Sequence, residues 1–259
     1  KEILKLSKNL KFIARAGSGL ENIDIIYCEE NNIKVFRSPE GNCDALAEHT
    51  LGMLLCLINN INKANKEVKN NIWKREENRG IELKGKVMGL IGFGHMGRAF
   101  AKRLKGFDIE ILAYDKYISG YGNKEVKEVS LNEIFQHSDF LSIHTPQSEE
   151  TINMVNKKFI DQFKNPFFLI NTARGETVVL EDLVKSLKSK KIIGACLDVL
   201  EIELENFNIK SFENKSFENL KKLQNVILTP HIAGWTHESK EKIGNVIIQK
   251  IYKSFILKK

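Results

Sequence analysis

The sequence predicts an α/β fold: a doubly wound parallel sheet over residues 44–234, with a second, smaller α/β unit made of residues 1–43 and a C-terminal helix, 235–259, that returns to it. Three observations predict it. Six short apolar runs, at 87–91, 109–114, 140–143, 167–170, 192–197 and 226–228, are continuous rather than alternating, as strands covered on both faces require. Stretches of helical period separate them. The length, 259 residues at 42% apolar and 28% charged, suffices for one or two packed domains and excludes a disordered or fibrous chain.

Each element has its own signal. Residues 1–11 alternate charged and apolar positions on a helical period and carry no signal-peptide pattern. Residues 12–14 and 34–36 read as strands of a small sheet, separated by a helix from about Asn22. Residues 44–69 read as one long helix, because Ala47, Leu51, Leu54, Ile58, Ile61, Ala64 and Val68 recur at steps of three and four. That stripe suits a core or a second copy of the chain. After the strand at 87–91, Met96, Phe100 and Leu104 form a four-residue stripe with Gly106 as its cap. Residues 236–257 are amphipathic through Ile243, Val246, Ile247 and Ile251. The tetrapeptide Ser-Phe-Glu-Asn occurs at 211–214 and again at 216–219, in what reads as a polar inserted loop.

Composition excludes several classes of function. The net charge is +7, but 33 lysines and only 7 arginines are dispersed among 33 acids, unlike the clustered, arginine-rich surfaces that read nucleic acid. The apolar run at 51–58 is far short of the ~18 residues of a membrane span. Cys28, Cys43, Cys56 and Cys196 show no C-x-x-C spacing, so no metal site or disulfide framework is expected, and a reducing, cytoplasmic setting is.

In a parallel sheet the chemistry lies beyond the carboxyl ends of the strands. The strand at 87–91 runs into Gly92-Phe93-Gly94-His95-Met96-Gly97 and a helix. Gly92 suits the tight turn, Gly94 the approach of a pyrophosphate, and Gly97 close packing of helix on strand; the phosphates would meet the helix N-terminus. The next strand ends at Asp115, 18 residues beyond Gly97, where an acid holds ribose hydroxyls and repels a 2′-phosphate. These features predict an NAD site, with His95 and Met96 in the loop. Other strand ends present His144-Thr145-Pro146, Asn171-Thr172-Ala173-Arg174-Gly175, Asp198, and Thr229-Pro230-His231. Arg174 carries the planar fork that captures a carboxylate, although a helix cap or a structural ion pair would use the same residue. His231, rigidly placed after proline, suits acid–base work; a structural histidine reads the same way.

Taken together, residues 16–24, the glycine loop with Asp115, residues 171–175, Leu197-Asp198-Val199 and Pro230-His231 resemble the D-isomer-specific 2-hydroxyacid dehydrogenases over essentially the whole chain. Within that family the branch acting on 3-phosphoglycerate is the most similar. The resemblance implies a Rossmann-type domain and hydride transfer between nicotinamide and a D-2-hydroxy acid, with Arg174, Glu203 and His231 as the catalytic set. Glu203 lies five residues after Asp198, but Leu204 stands where the family has proline, and Glu201 is the alternative. By the same resemblance Ser18, Gly19, Asn42 and Arg174 contact substrate. Thr145, Pro146, Thr172, Ala173, Arg174, His231 and Gly234 line the cofactor, and Asp198 reaches the nicotinamide carboxamide. Family members carry about 60 residues, two βα units, ahead of the segment at Phe12, so the smaller domain is expected to be incomplete. A homodimer through residues 44–69 and the arm around Trp73 is implied as well. The competing reading is an NAD-binding scaffold, or a corepressor-like module, with little turnover.

Overall fold

The computed structural model describes residues 2–204, 208, 209 and 213–257. In chain order the elements are α1 (Glu2–Leu6), β1 (Phe12–Arg15), α2 (Ile25–Glu30), β2 (Lys34–Arg37), α3 (Pro39–Ile58) and α4 (Ile61–Lys69). There follow β3 (Val87–Ile91), α5 (His95–Leu104), β4 (Glu110–Tyr114), β5 (Lys127–Glu128), α6 (Leu131–His137) and β6 (Phe140–Ile143). The last are α7 (Lys157–Asp161), β7 (Phe167–Asn171), α8 (Leu180–Lys188), β8 (Ile192–Leu197), α9 (Lys215–Lys221), β9 (Val226–Leu228) and α10 (His237–Phe255). The chain divides into two compact units: Lys1–Leu46 with Gly234–Lys259, and Ala47–Ala233.

In the smaller unit β1 and β2 pair in parallel, Phe12 opposite Lys34. Helix α2 starts at Ile25 rather than near Asn22, because the Asp24 carboxylate caps it by accepting from Tyr27 N at 2.9 Å. Helix α10 covers the small sheet. The Phe255 ring lies 5.4 Å from Phe12 and 6.3 Å from Phe36, and Lys250 Nζ donates to both Glu40 carboxylate oxygens at 2.7 and 2.8 Å.

The larger unit is a seven-stranded parallel sheet in the order β5-β4-β3-β6-β7-β8-β9. The order runs outward from β3 in both directions, so the switch in direction falls between β3 and β6, where such sheets open a crevice. Strands β6 and β7 are buried at every position, which is why their sequences are unbroken apolar runs. Phe100 and Leu104 of α5 are fully buried, burying the face the four-residue spacing marks.

Four expectations need correction. The helix expected at 44–69 is two helices: α3 begins at Pro39, whose fixed φ and missing N–H suit a first helical residue, and the break falls at Asn60, which adopts φ 53° between α3 and α4. Gly106 does not cap α5, since a 3₁₀ turn, Lys105–Phe107, continues it and the left-handed residue is Asp108. Strand β5, two exposed residues at the sheet edge, was too short to leave an apolar signature. The second Ser-Phe-Glu-Asn copy is not a polar loop: it lies in α9, capped by Asn214 Oδ1 accepting from Phe217 N, with Phe217 and Leu220 buried. In the first copy, residues 211 and 212 lie outside the described residues.

Candidate active site

The glycine loop after β3 is shaped by two close approaches. Gly92 has φ 92°, and a Cβ there would come within 2.7 Å of His144 O and 3.1 Å of Thr145 N. At Gly97 a Cβ would come within 2.2 Å of Gly92 O, so only glycine lets α5 start this close to the strand. Gly94 differs: a Cβ would meet nothing within 4 Å, and the open space lies at the N-terminus of the ten-residue helix α5. Phe93 is buried and its ring lies 4.6 Å from Tyr121, with the Arg98 guanidinium 4.8 Å from the Phe93 centroid. Burial pushes the Tyr121 hydroxyl up to about 12, and that hydroxyl donates to Ala113 O at 2.9 Å.

Asp115 ends β4 beside this loop. Its Oδ2 accepts from Phe93 N at 2.7 Å, and its Oδ1 accepts from Tyr117 N and Ile118 N at 2.9 and 3.0 Å. Three backbone donors hold the carboxylate, and a carboxylate offers about four acceptor positions, so one position remains. On the other side, Thr145 Oγ1 is buried without a hydrogen-bond partner. A close-packed glycine turn, an open helix N-terminus, a fixed carboxylate and an orphaned hydroxyl together fit a dinucleotide. His95 and Met96 form the first turn of α5, with His95 exposed. Pro146 follows Thr145 and is exposed, while Thr172 and Ala173 are buried; Thr172 Oγ1 lies 3.2 Å from Thr50 Oγ1.

The structure brings Glu203 and His231 together: Glu203 Oε1 engages His231 Nδ1, with the side chains 15% and 28% exposed. Glu201 is used elsewhere, its Oε2 accepting from Leu180 N at the start of α8. The replacement of the family's proline by Leu204 therefore leaves the pair intact. Arg174 is half-buried beyond β7, and its Nη1 donates to Ala173 O at 2.7 Å. A Cβ on Gly175 would come within 2.0 Å of Leu200 O, and the same carbonyl accepts from Glu203 N at 3.0 Å. Gly175 thus seats the Arg174 turn directly on the turn that carries Glu203.

Asp198 has a task the sequence did not suggest. Its side chain is 1% exposed. Its Oδ1 accepts from Thr229 Oγ1 at 2.6 Å and Ile232 N at 2.9 Å, and its Oδ2 from Ala233 N at 2.8 Å. The Asp198 carbonyl accepts from His231 N at 2.7 Å. His231 sits at φ 56°, an unusual conformation for a side-chain-bearing residue, and these bonds hold it there. His49 Nε2 reaches Thr229 Oγ1 at 3.1 Å, adding a residue that no sequence signal marked. Buried His144 bonds Ser142 Oγ through Nε2 at 3.0 Å, and burial lowers it to about 3, so it stays neutral. Ser18, Gly19, Asn42 and Gly234 lie on the smaller unit, where a Cβ on Gly234 would come within 2.6 Å of Asn42 Nδ2.

Comparison with known proteins agrees with this geometry. Residues 51–233 match the family described as D-isomer specific 2-hydroxyacid dehydrogenase, NAD binding domain. A hydroxypyruvate reductase of Thermotoga maritima is 37% identical over 252 residues, covering 97% of this chain and 80% of its own length. A D-3-phosphoglycerate dehydrogenase of Archaeoglobus fulgidus is 36% identical over 252 residues, covering 96% of this chain but 46% of its own length. The crystal structure of D-lactate dehydrogenase from Aquifex aeolicus, complexed with NAD and lactic acid, superposes with a TM-score of 0.86 at 31% identity, covering 100% of this chain and 80% of that one. With a dinucleotide loop, a carboxylate-braced imidazole and these relatives, the chain belongs to the NAD-dependent D-isomer-specific 2-hydroxyacid dehydrogenases, and is an oxidoreductase that uses NAD.

Proposed function

We propose that this chain interconverts 3-phosphoglycerate and 3-phosphohydroxypyruvate, a step toward serine. The observation that carries the hydride-transfer chemistry is the Glu203–His231 pair, seated through Leu200 and Gly175 against the turn of Arg174; the choice of the phosphorylated acid is supported by the 36% identical relative of that name. The dinucleotide supplies the hydride donor or acceptor. In reduction His231 delivers a proton to the substrate carbonyl oxygen, and in oxidation it takes that proton from the hydroxyl. Glu203 on Nδ1 fixes the ring and makes Nε2 the atom that exchanges it. The Arg174 fork receives the substrate carboxylate and polarises the adjacent carbonyl. Family correspondence assigns substrate contacts to Ser18, Gly19 and Asn42 and a nicotinamide contact to Asp198.

A second reading is that the unphosphorylated analogue hydroxypyruvate is the better substrate, favoured by the 37% identical relative of that name. Steady-state kinetics with NADH and 3-phosphohydroxypyruvate, hydroxypyruvate, glyoxylate and pyruvate separate the two. A preference of at least tenfold for the phosphorylated acid is expected; a preference for hydroxypyruvate selects the second reading. His231→Ala should abolish turnover, and Glu203→Gln should lower kcat about 10²-fold or more. Full activity in either variant would remove that residue from its role.

The free thiols of Cys28, Cys43, Cys56 and Cys196 support a reducing, cytoplasmic setting. Among the described residues no helix is long and apolar enough to cross a membrane. The end of α4 and the arm after it, where Val68, Ile72 and Trp73 are 51%, 42% and 85% exposed, support association with a second copy of the chain.

A further inference from the structure

Strands β4 and β6 are the two neighbours of β3 in the sheet, so the loops leaving their carboxyl ends flank the glycine loop on either side. These loops are joined. Lys116, the residue after Asp115, places Nζ 2.6 Å from Glu150 Oε1, and the Tyr117 hydroxyl donates to Glu150 Oε2 at 2.7 Å. The Lys116 ammonium also lies 5.6 Å from the centre of the Tyr117 ring. All three side chains are exposed, so the contacts themselves add little stability. Their consequence is electrostatic. A 2′-phosphate on the adenosine ribose is a dianion, and Lys116 is the neighbouring cation suited to receive it.

We propose that Glu150 is a cofactor-specificity residue: by holding Lys116 across the glycine loop, it denies a 2′-phosphate its cation and adds a repelling charge, so that NAD is taken in preference to NADP. The opposed shifts of the pair are consistent with mutual stabilisation, Lys116 being raised by its bond to Glu150 and Glu150 lowered by its bond to Lys116. The inference rests on the dinucleotide assignment and is independent of which hydroxy acid is the substrate.

The test is fluorescence titration of NADH and NADPH onto the full chain, the Glu150→Gln and Lys116→Met variants, and the double variant. Glutamine keeps a partner for Tyr117 while removing the charge. NADPH affinity is expected to rise about tenfold in Glu150→Gln, the scale of one partly screened unit charge, with NADH affinity within about twofold of the parent. Most of the gain should be lost when Glu150→Gln is made in the Lys116→Met background, because the released lysine is its main source. An unchanged NADPH-to-NADH ratio in Glu150→Gln, or a gain of the same size in the Lys116→Met background, overturns the proposal. Failure of the parent chain to bind NADH would overturn the dinucleotide assignment and the proposal with it, whereas failure of the substrate assays leaves this measurement standing.

Discussion

Acidification from pH 7.5 to pH 5 should cost this protein about 2 kcal/mol of stability through His144 alone. The ring is buried, bonded to Ser142 and 5.6 Å from the centroid of Phe100, and its pKa falls from 6.5 to about 3 because burial penalises the charged form. The folded value lies below the unfolded one. Above pH 6.5 both states are neutral and the histidine costs nothing; as the pH falls toward 3 the unfolded chain takes up a proton that the folded chain refuses. At pH 5 the deficit is about 1.5 pH units, which at ~1.4 kcal/mol per unit is about 2 kcal/mol. Urea unfolding at both pH values measures it, comparing the parent with His144→Gln, which cannot titrate. The variant starts less stable but should lose about 2 kcal/mol less on acidification. If the two pH dependences agree within about 0.5 kcal/mol, His144 is not a buried neutral imidazole and the reasoning fails. The result also bears on the site, since the His144 carbonyl abuts Gly92 and the next residue is Thr145.

Two further outcomes follow from the geometry. Asp198→Asn turns one acceptor into a donor facing the N–H groups and hydroxyl of residues 229–233, so it should cost about 2–4 kcal/mol and lower Tm by roughly 5–15 °C, with loss of turnover as the His231 turn relaxes; a change under about 0.5 kcal/mol would show that Asp198 does not hold that turn. If the arm joins two copies, sedimentation at micromolar concentration should give a dimer that Trp73→Ala weakens by about 30-fold, as expected for a buried interface tryptophan; a parent chain that sediments only as monomer defeats that assignment.

The candidate active site depends on turns meeting at one end of the sheet. β7 and β8 are neighbours, and so are β8 and β9, so the residues that leave their carboxyl ends are set side by side by the sheet before any side chain is considered. Two backbone bonds extend the ladder, Asp198 N to Asn171 O and His231 N to Asp198 O, at 3.0 and 2.7 Å. Arg174 and His231 are thereby placed on a rigid frame, the condition under which the proton donor and carboxylate clamp proposed for them can be preorganised.

Much of this is local and therefore readable from residue order. Unbroken apolar runs specify buried parallel strands, and the spacing of Gly92, Gly94 and Gly97 specifies a strand–turn–helix junction, because both depend on period and backbone sterics within a few residues. The break at Asn60 eluded the pattern because the apolar stripe continues at the right spacing on either side, while a single left-handed residue redirects the chain. Which acid serves His231 was a matter of distance in space: the family spacing favoured Glu203 and left Glu201 as the alternative, and only the fold sends one to Leu180 N and the other to Nδ1. The same holds for the Asp198 network and the Lys116–Glu150 contact, whose partners lie about 30 residues apart in the chain. Sequence alone determined the fold class and the dinucleotide loop, since those follow from short-range order, and its resemblance to a known family supplied the reaction class; tertiary structure decided the hydrogen-bonding partner of each charged group, because that choice is made by strands and turns brought together from distant parts of the chain.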